Sequence, residues 1–173
     1  MHHTIRWRIA IPYVILVMIT MAALSIYLSG FIKRTYEENL TAGLLRDASL
    51  IASEIAGPLQ DTPDPLVINP LAERYGQLLT ARVTIIRKDG VVLGDSTADE
   101  TTMDNHLTRP EVIQALNSGQ GVNTRYSATL KTKMLYAALP IQVDDQTIGI
   151  ARLAIPLTQI DANLAQLRQS MLL

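Results

Sequence analysis

The chain is predicted to fold as an α+β domain: a five-stranded antiparallel sheet, a long amino-terminal helix continuous with an apolar segment, and a carboxyl-terminal exit helix. Three observations predict it. Residues 9–31, IAIPYVILVMITMAALSIYLSGF, carry no charge over a length close to the roughly 20 apolar residues that cross a bilayer core. The hydrophobic period then runs in helical steps of three and four before changing to strand-like runs from RVTIIR onward. The last three strand-like runs are joined by short turns, and strands joined that way pair antiparallel.

The elements follow in order. A secretory signal would have a shorter apolar core and a small-residue cleavage site. Here Phe31, Ile32, Lys33 and Arg34 follow Gly30, so residues 9–31 read as an uncleaved transmembrane anchor after a short tail, 1–8. Arg6 and Arg8 lie before the run and Lys33 and Arg34 after it. Their count leaves the orientation open. Across 32–58, Tyr36, Leu40, Leu44, Ala48, Ile51 and Ile55 recur at helical spacing, and Gly57-Pro58 is expected to end that helix. A narrow apolar stripe of this kind covers either a partner helix or a sheet.

QDTPDPLVINP reads as a loop. LAERYGQLL reads as a short helix with Leu71, Tyr75, Leu78 and Leu79 on one side. RVTIIR and VVLGDS flank the turn KDG as a hairpin. STADETTMDNH is a polar loop. In TRPEVIQALNSG, Thr108 and Glu111 have capping-box spacing, Pro110 sits in the first turn and Gly119 past the end. GVNTRYSATL and KMLYAALPIQV flank Lys-Thr-Lys, and QTIGIARLAI follows Asp144-Asp145. The expectation is five strands with helices crossing one face of the sheet, over residues 59–155. In 156–173, Leu157, Ile160, Leu164, Leu167 and Met171 form a coiled-coil seam.

The composition excludes several classes. A net charge of −1 gives no general basis for a nucleic-acid partner. The absence of cysteine rules out a disulfide scaffold and cysteine metal sites. The histidines are His2, His3 and His106, and no pair of metal ligands stands at fixed spacing, so no metal is assigned. Gly119 and Gly121 flank Gln120 at a helix stop and make no phosphate loop. Ser96, His106 and Asp104 could be assembled as a triad on paper, but any chain of this size offers such sets, and no catalytic residue is assigned.

Three stretches carry a family resemblance: VTIIRKDGVVLGDS, MDNHLTRPEVIQAL and TRYSATLKTKMLYAALPI. The order of elements resembles an extracytoplasmic PAS-like (single-Cache) sensor domain. These stretches resemble the sensor region of phosphate-regulon-type (PhoR-like) transmembrane sensor histidine kinases. The features shared are Asp95-Ser96 at the end of the strand pair, Asn105-His106 after the polar loop, and Arg109-Pro110-Glu111 at a helix start. The match runs from about residue 81 to the end. The resemblance implies a cytoplasmic amino terminus, an external sheet domain, and a location in the bacterial cell membrane. It implies that SMLL begins a second, truncated span. A full-length parent would add a histidine kinase using ATP and Mg and a response regulator as its partner. No cofactor is expected in these 173 residues themselves, nor enzymatic activity.

In folds of this type, small anions bind between the sheet and the loop-helix segment over it. The candidates here are His106, Arg109, Arg125, Tyr126 and Lys133. A guanidinium fork takes a carboxylate or phosphate through two hydrogen bonds, and strand tyrosines such as Tyr126 and Tyr136 can line a pocket wall. The competing reading pairs Arg109 with Asp95 or Glu111 and makes the tyrosines cross-strand packing. Asp95 and Asn105 read as structural ties of loop to sheet. The stripes at Leu44, Ala48, Ile51 and Ile55, and at Leu157, Ile160, Leu164, Leu167 and Met171, are candidates for a parallel homodimer that carries signals. A transporter or accessory protein is an alternative source of the cue. Alternatives to the kinase are a chemotaxis transducer, a cyclic-dinucleotide enzyme, or a membrane-anchored external hydrolase.

Overall fold

The computed structural model describes residues 3–127 and 130–157. The elements are α1 (His3–Asp61), α2 (Pro65–Leu79), β1 (Arg82–Arg87), β2 (Val92–Asp95), α3 (Pro110–Ser118), β3 (Gly121–Ser127), β4 (Thr132–Val143) and β5 (Gln146–Pro156), with one 3₁₀ turn at Glu100–Thr102. Two compact units are present, residues 1–40 and 41–173. In the first, α1 is long and apolar enough to cross a membrane. Its side chains Tyr13, Val14, Leu16, Val17, Met18 and Ile19 are all exposed, as they would be on a helix whose apolar surface no protein covers.

The second unit is the sheet domain. Its strands run β2-β1-β5-β4-β3, every pair antiparallel. The turns behave as their residues dictate. Asp144 and Asp145 both take positive φ, as a two-residue type I′ hairpin turn requires. Gly119 closes α3 at φ 78°, where a Cβ would be strained.

Side chains alternate across the sheet. Val83, Ile85, Ala151, Leu153, Leu135 and Ala137 share one face and are buried. The helical stripe Leu44, Ala48, Ile51, Ile55 and Leu59 and α2's Ile68 and Ala72 are buried with them. A Cβ on Gly149 would lie 2.6 Å from Leu59 Cδ2, which locates the end of α1 on β5. The other face carries Ile86, Ala138 and Ile150, clustered with Val112 and Ala115 of α3. Helices therefore cover both faces, where one was expected. Leu44, Ala48, Ile51 and Ile55, candidates for a partner helix, are enclosed by the chain's own core and are not free for one. Leu157 is also buried, while Ile160, Leu164, Leu167 and Met171 lie outside the described residues.

Two helix boundaries differ from the sequence reading. Gly57-Pro58 does not end α1, which runs to Asp61. Proline forfeits one hydrogen bond there, but continuing the helix buries Leu59 beneath Ile55, and the Pro58 carbonyl accepts from Thr62 N at 3.0 Å. The PDPLVINP stretch is not loop beyond Asp64. Asp64 Oδ1 accepts from Leu66 N at 2.9 Å as N-cap, with Pro65 in the first turn. Asp64→Ala is expected to lower the domain's stability by about 1 kcal/mol in chemical denaturation.

Candidate functional site: a cationic cavity beside helix α3

Thr84 and Arg152 are cross-strand partners, as are Arg82 and Ala154, Tyr136 and Ala154, and Arg125 and Met134. That register puts Arg82, Thr84, Arg125, Tyr136 and Arg152 on the α3 face. Beside α3 they meet the polar segment that precedes it, and together they enclose a cavity of about 290 Å³. Met103, Asp104, His106 and Arg109 form the loop wall, and Tyr126 stands at the mouth, 64% exposed.

The floor is a chain of charged hydrogen bonds. Arg82 Nε donates to both Asp95 oxygens at 3.0 Å, and Thr84 Oγ1 donates to Asp95 Oδ2 at 2.7 Å. Arg152 Nη2 donates to Thr84 Oγ1 at 3.0 Å and its Nη1 reaches Glu111 Oε1 at 3.4 Å. Arg125 Nη2 donates to the same Glu111 oxygen at 3.0 Å. The Tyr136 ring lies beneath both guanidiniums, 4.1 Å from Arg125 and 5.3 Å from Arg152. Asp95 also accepts from the Thr97 and Ala98 amides, each at 3.0 Å, which starts the loop's path off the sheet. Asn105 fixes the other end of the loop. Its amide donates to Asp89 O at 2.8 Å, and its carbonyl accepts from Leu107 N at 2.9 Å.

Among the described residues, four guanidiniums (Arg82, Arg109, Arg125, Arg152) line this cavity while two carboxylates, Asp95 and Glu111, are buried beside it. With Asp104, which lines the loop wall and is exposed at the rim, that leaves an excess of one positive charge. The Nε groups of Arg109, Arg125 and Arg152, and Glu111 Oε2, are buried without a hydrogen-bond partner. Leaving such groups unpaired costs about 1–3 kcal/mol each. An incoming oxyanion would offset the positive excess.

The electrostatics follow from burial and from this crowding. Burial lowers the pKa of Arg152 to about 10, although Glu111 opposes the shift. Burial pushes Glu111 upward, but the Arg125 hydrogen bond and the Arg152 charge outweigh it and hold the carboxylate below its ordinary range. His106 is lowered to about 4 by burial and by Arg152, Arg109 and Arg82, against the carbonyl of Asp104. Because the unfolded chain takes a proton on this histidine near 6.5, the folded state is favoured above that pH. The advantage drains away as pH falls from 6.5 toward about 4. Denaturation midpoints of the wild type should fall across that window, and His106→Gln should flatten the slope.

Of the residues expected at a ligand site, the fold brings together His106, Arg109, Arg125 and Tyr126. Lys133 is elsewhere: it alternates with the buried Met134 along β4, is exposed, and does not line the cavity. Arg109 pairs with neither Asp95 nor Glu111. The Thr108–Glu111 capping box does not form. Arg109 is the N-cap without a side-chain bond, and Glu111 turns inward to the guanidiniums. Arg82 and Arg152 were missed. Their signal was a guanidinium at an inward alternation position of an otherwise apolar strand, RVTIIR and GIARLAI.

A five-stranded antiparallel sheet with long helices on one face and a loop-walled cavity on the other is the architecture of a Cache-type domain. The chain belongs to the single Cache-like family, whose model matches residues 34–156. No curated protein matches it in sequence. Similar solved structures include the sensor domain of the Vibrio cholerae histidine kinase DctB, with TM-score 0.64 and 15% identity, covering 82% of this chain and 59% of that one. The Escherichia coli DcuS sensor domain matches with TM-score 0.61 and 17% identity over 74% of this chain and 96% of its own. The ligand-binding domain of the Pseudomonas fluorescens chemoreceptor CtaA, solved with L-isoleucine, matches with TM-score 0.60 and 14% identity over 75% of this chain and 54% of its own. The chain thus spans little more than half of the DctB domain. At these identities the likeness is one of fold. It extends to histidine-kinase and chemoreceptor sensors alike, and the phosphate-regulon type is not singled out by it.

Proposed function

We propose that this chain is the external sensor and transmembrane signalling module of a bacterial two-component histidine kinase, and that its cavity binds a small carboxylate or phosphate. The observation that carries the binding reading is the gathering of four guanidiniums around one cavity, a net excess of one positive charge over Asp95, Glu111 and Asp104. The cavity volume, about 290 Å³, suits a ligand of a few heavy atoms. The uncharged run 9–31 would anchor the domain with its amino terminus cytoplasmic. Helices continuing from Leu157 would pair two copies and pass a conformational bias inward. The phosphate-regulon subtype rests on the sequence resemblance from residue 81 alone. A chemotaxis transducer is the second reading, favoured by the chemoreceptor likeness. Coding sequence beyond residue 173 decides between them: a His-Glu-containing phosphoacceptor helix would establish the kinase.

Calorimetric titration of the full chain in nanodiscs with succinate and with inorganic phosphate tests the site. At least one should bind, and Arg109→Ala should weaken it by about tenfold or more, since a charge-assisted hydrogen bond contributes about 1.5–3 kcal/mol. Absence of binding by either anion, or affinity untouched by Arg109→Ala, would overturn the reading.

A further inference from the structure

We propose that anion capture in this cavity is coupled to proton uptake by His106, so that the sensor reads an anion and the acidity around it together. The inference rests on the anion reading above and adds its regulation. The ring of His106 lies in the cavity wall and is buried. Its Nδ1 stands 2.7 Å from the carbonyl oxygen of Asp104. A carbonyl only accepts, so Nδ1 carries the proton of the neutral ring and Nε2 is left as a bare lone pair. No hydrogen bond among the described residues engages Nε2.

Charged groups line the same cavity as this ring, and Arg152, Arg109 and Arg82 act on it directly. Arg82 comes from β1, Arg125 from β3, Arg152 from β5, and Arg109 from the ring's own segment. Asp95 of β2 and Glu111 of α3 are each committed to guanidiniums, Tyr136 of β4 lies beneath two of them, and Asp104 is exposed at the rim. With the cavity empty of anion, burial and this positive field keep the ring neutral. An anion reverses both influences. It cancels the field, and it brings only lone pairs, which repel the lone pair on Nε2. A proton taken from solvent onto Nε2 converts that repulsion into an N⁺–H···O⁻ hydrogen bond. The net step is site plus anion plus one proton giving the complex. By linkage, each proton taken up makes the affinity rise as pH falls.

Sulfate is the probe, because it stays a dianion across the range used. The histidine-labelled full chain in nanodiscs is titrated by NMR from about pH 7.5 downward, with and without saturating sulfate. The resonance lost in His106→Gln identifies His106 against His2 and His3. Its midpoint should rise from about 4 by about one pH unit or more when sulfate is bound. Sulfate affinity should climb by up to about tenfold per pH unit of acidification between the two midpoints. In His106→Gln, whose amide donates without titrating, affinity should be flat. Sulfate binding with an unmoved or lowered His106 midpoint, or a wild-type pH slope retained in His106→Gln, would overturn the coupling and leave the anion site standing. No binding of sulfate, succinate or phosphate at any pH would overturn the anion site and the coupling with it.

Discussion

Glu111→Ala should destabilise the sheet domain by about 3–5 kcal/mol, the cost of leaving a buried charge without its partner. Glu111 is fully enclosed, and its Oε1 accepts from both Arg125 and Arg152. Arg152 is itself 2% exposed and already pushed down to about 10 by burial. Without the carboxylate, two guanidiniums remain packed against Tyr136 with only Thr84 to share. A domain stability of about 5–15 kcal/mol is typical, so the loss is a large fraction of the whole. Glu111→Ala paired with Arg152→Met should recover most of it, because removing both charges also removes their desolvation. Chemical denaturation of the single and double variants measures this. A single variant within about 1 kcal/mol of wild type would mean the pair contributes no more than an exposed one.

Gly121→Val should cost about 3 kcal/mol and abolish anion binding at the same time. A Cβ at Gly121 would collide with the carbonyl oxygen of Glu111 and lie 2.8 Å from Ala115 N, both backbone atoms of α3 that no rotamer change can clear. The helix must lift from β3, which strains the Gln114 Oε1 contact with Val122 N and draws Glu111 away from its guanidiniums. Gly119→Ala is the comparison. It meets nothing within 4 Å but forces a Cβ onto φ 78°, so it should cost about 1 kcal/mol and spare binding. Thermal denaturation and succinate calorimetry on both variants separate lost packing from lost backbone freedom.

The sheet was legible because its signals are local. KDG between RVTIIR and VVLGDS, and the Asp144-Asp145 turn, state their hairpins in adjacent residues, and Pro110 and Gly119 bracket α3 in the same way. The start of α2 was misread because proline and aspartate punctuate loops and also begin helices, and Asp64-Pro65 does the latter. The end of α1 was misread because Pro58 weakens a helix locally, while burial of Leu59 against Gly149 of β5 is long-range and invisible to a local pattern. The site was half legible. His106, Arg109 and Arg125 stand in polar segments where charge is noticed. Arg82 and Arg152 sit inside strands, and their roles depend on a register that joins residues 68 positions apart, Thr84 to Arg152. Glu111 fitted a capping rule so well that its inward turn could be seen only once the guanidiniums were in place.

The unpartnered Nε–H groups offer the most direct test of the anion site. In an arginine Hε–Nε NMR spectrum of the full chain, succinate should shift the signals of Arg109, Arg125 and Arg152. Arg82, whose Nε is already held by Asp95, should move little, and exposed Arg46 not at all. Shifts confined to arginines outside the cavity, or none at saturating succinate and phosphate, would contradict a cationic cavity built to receive an anion.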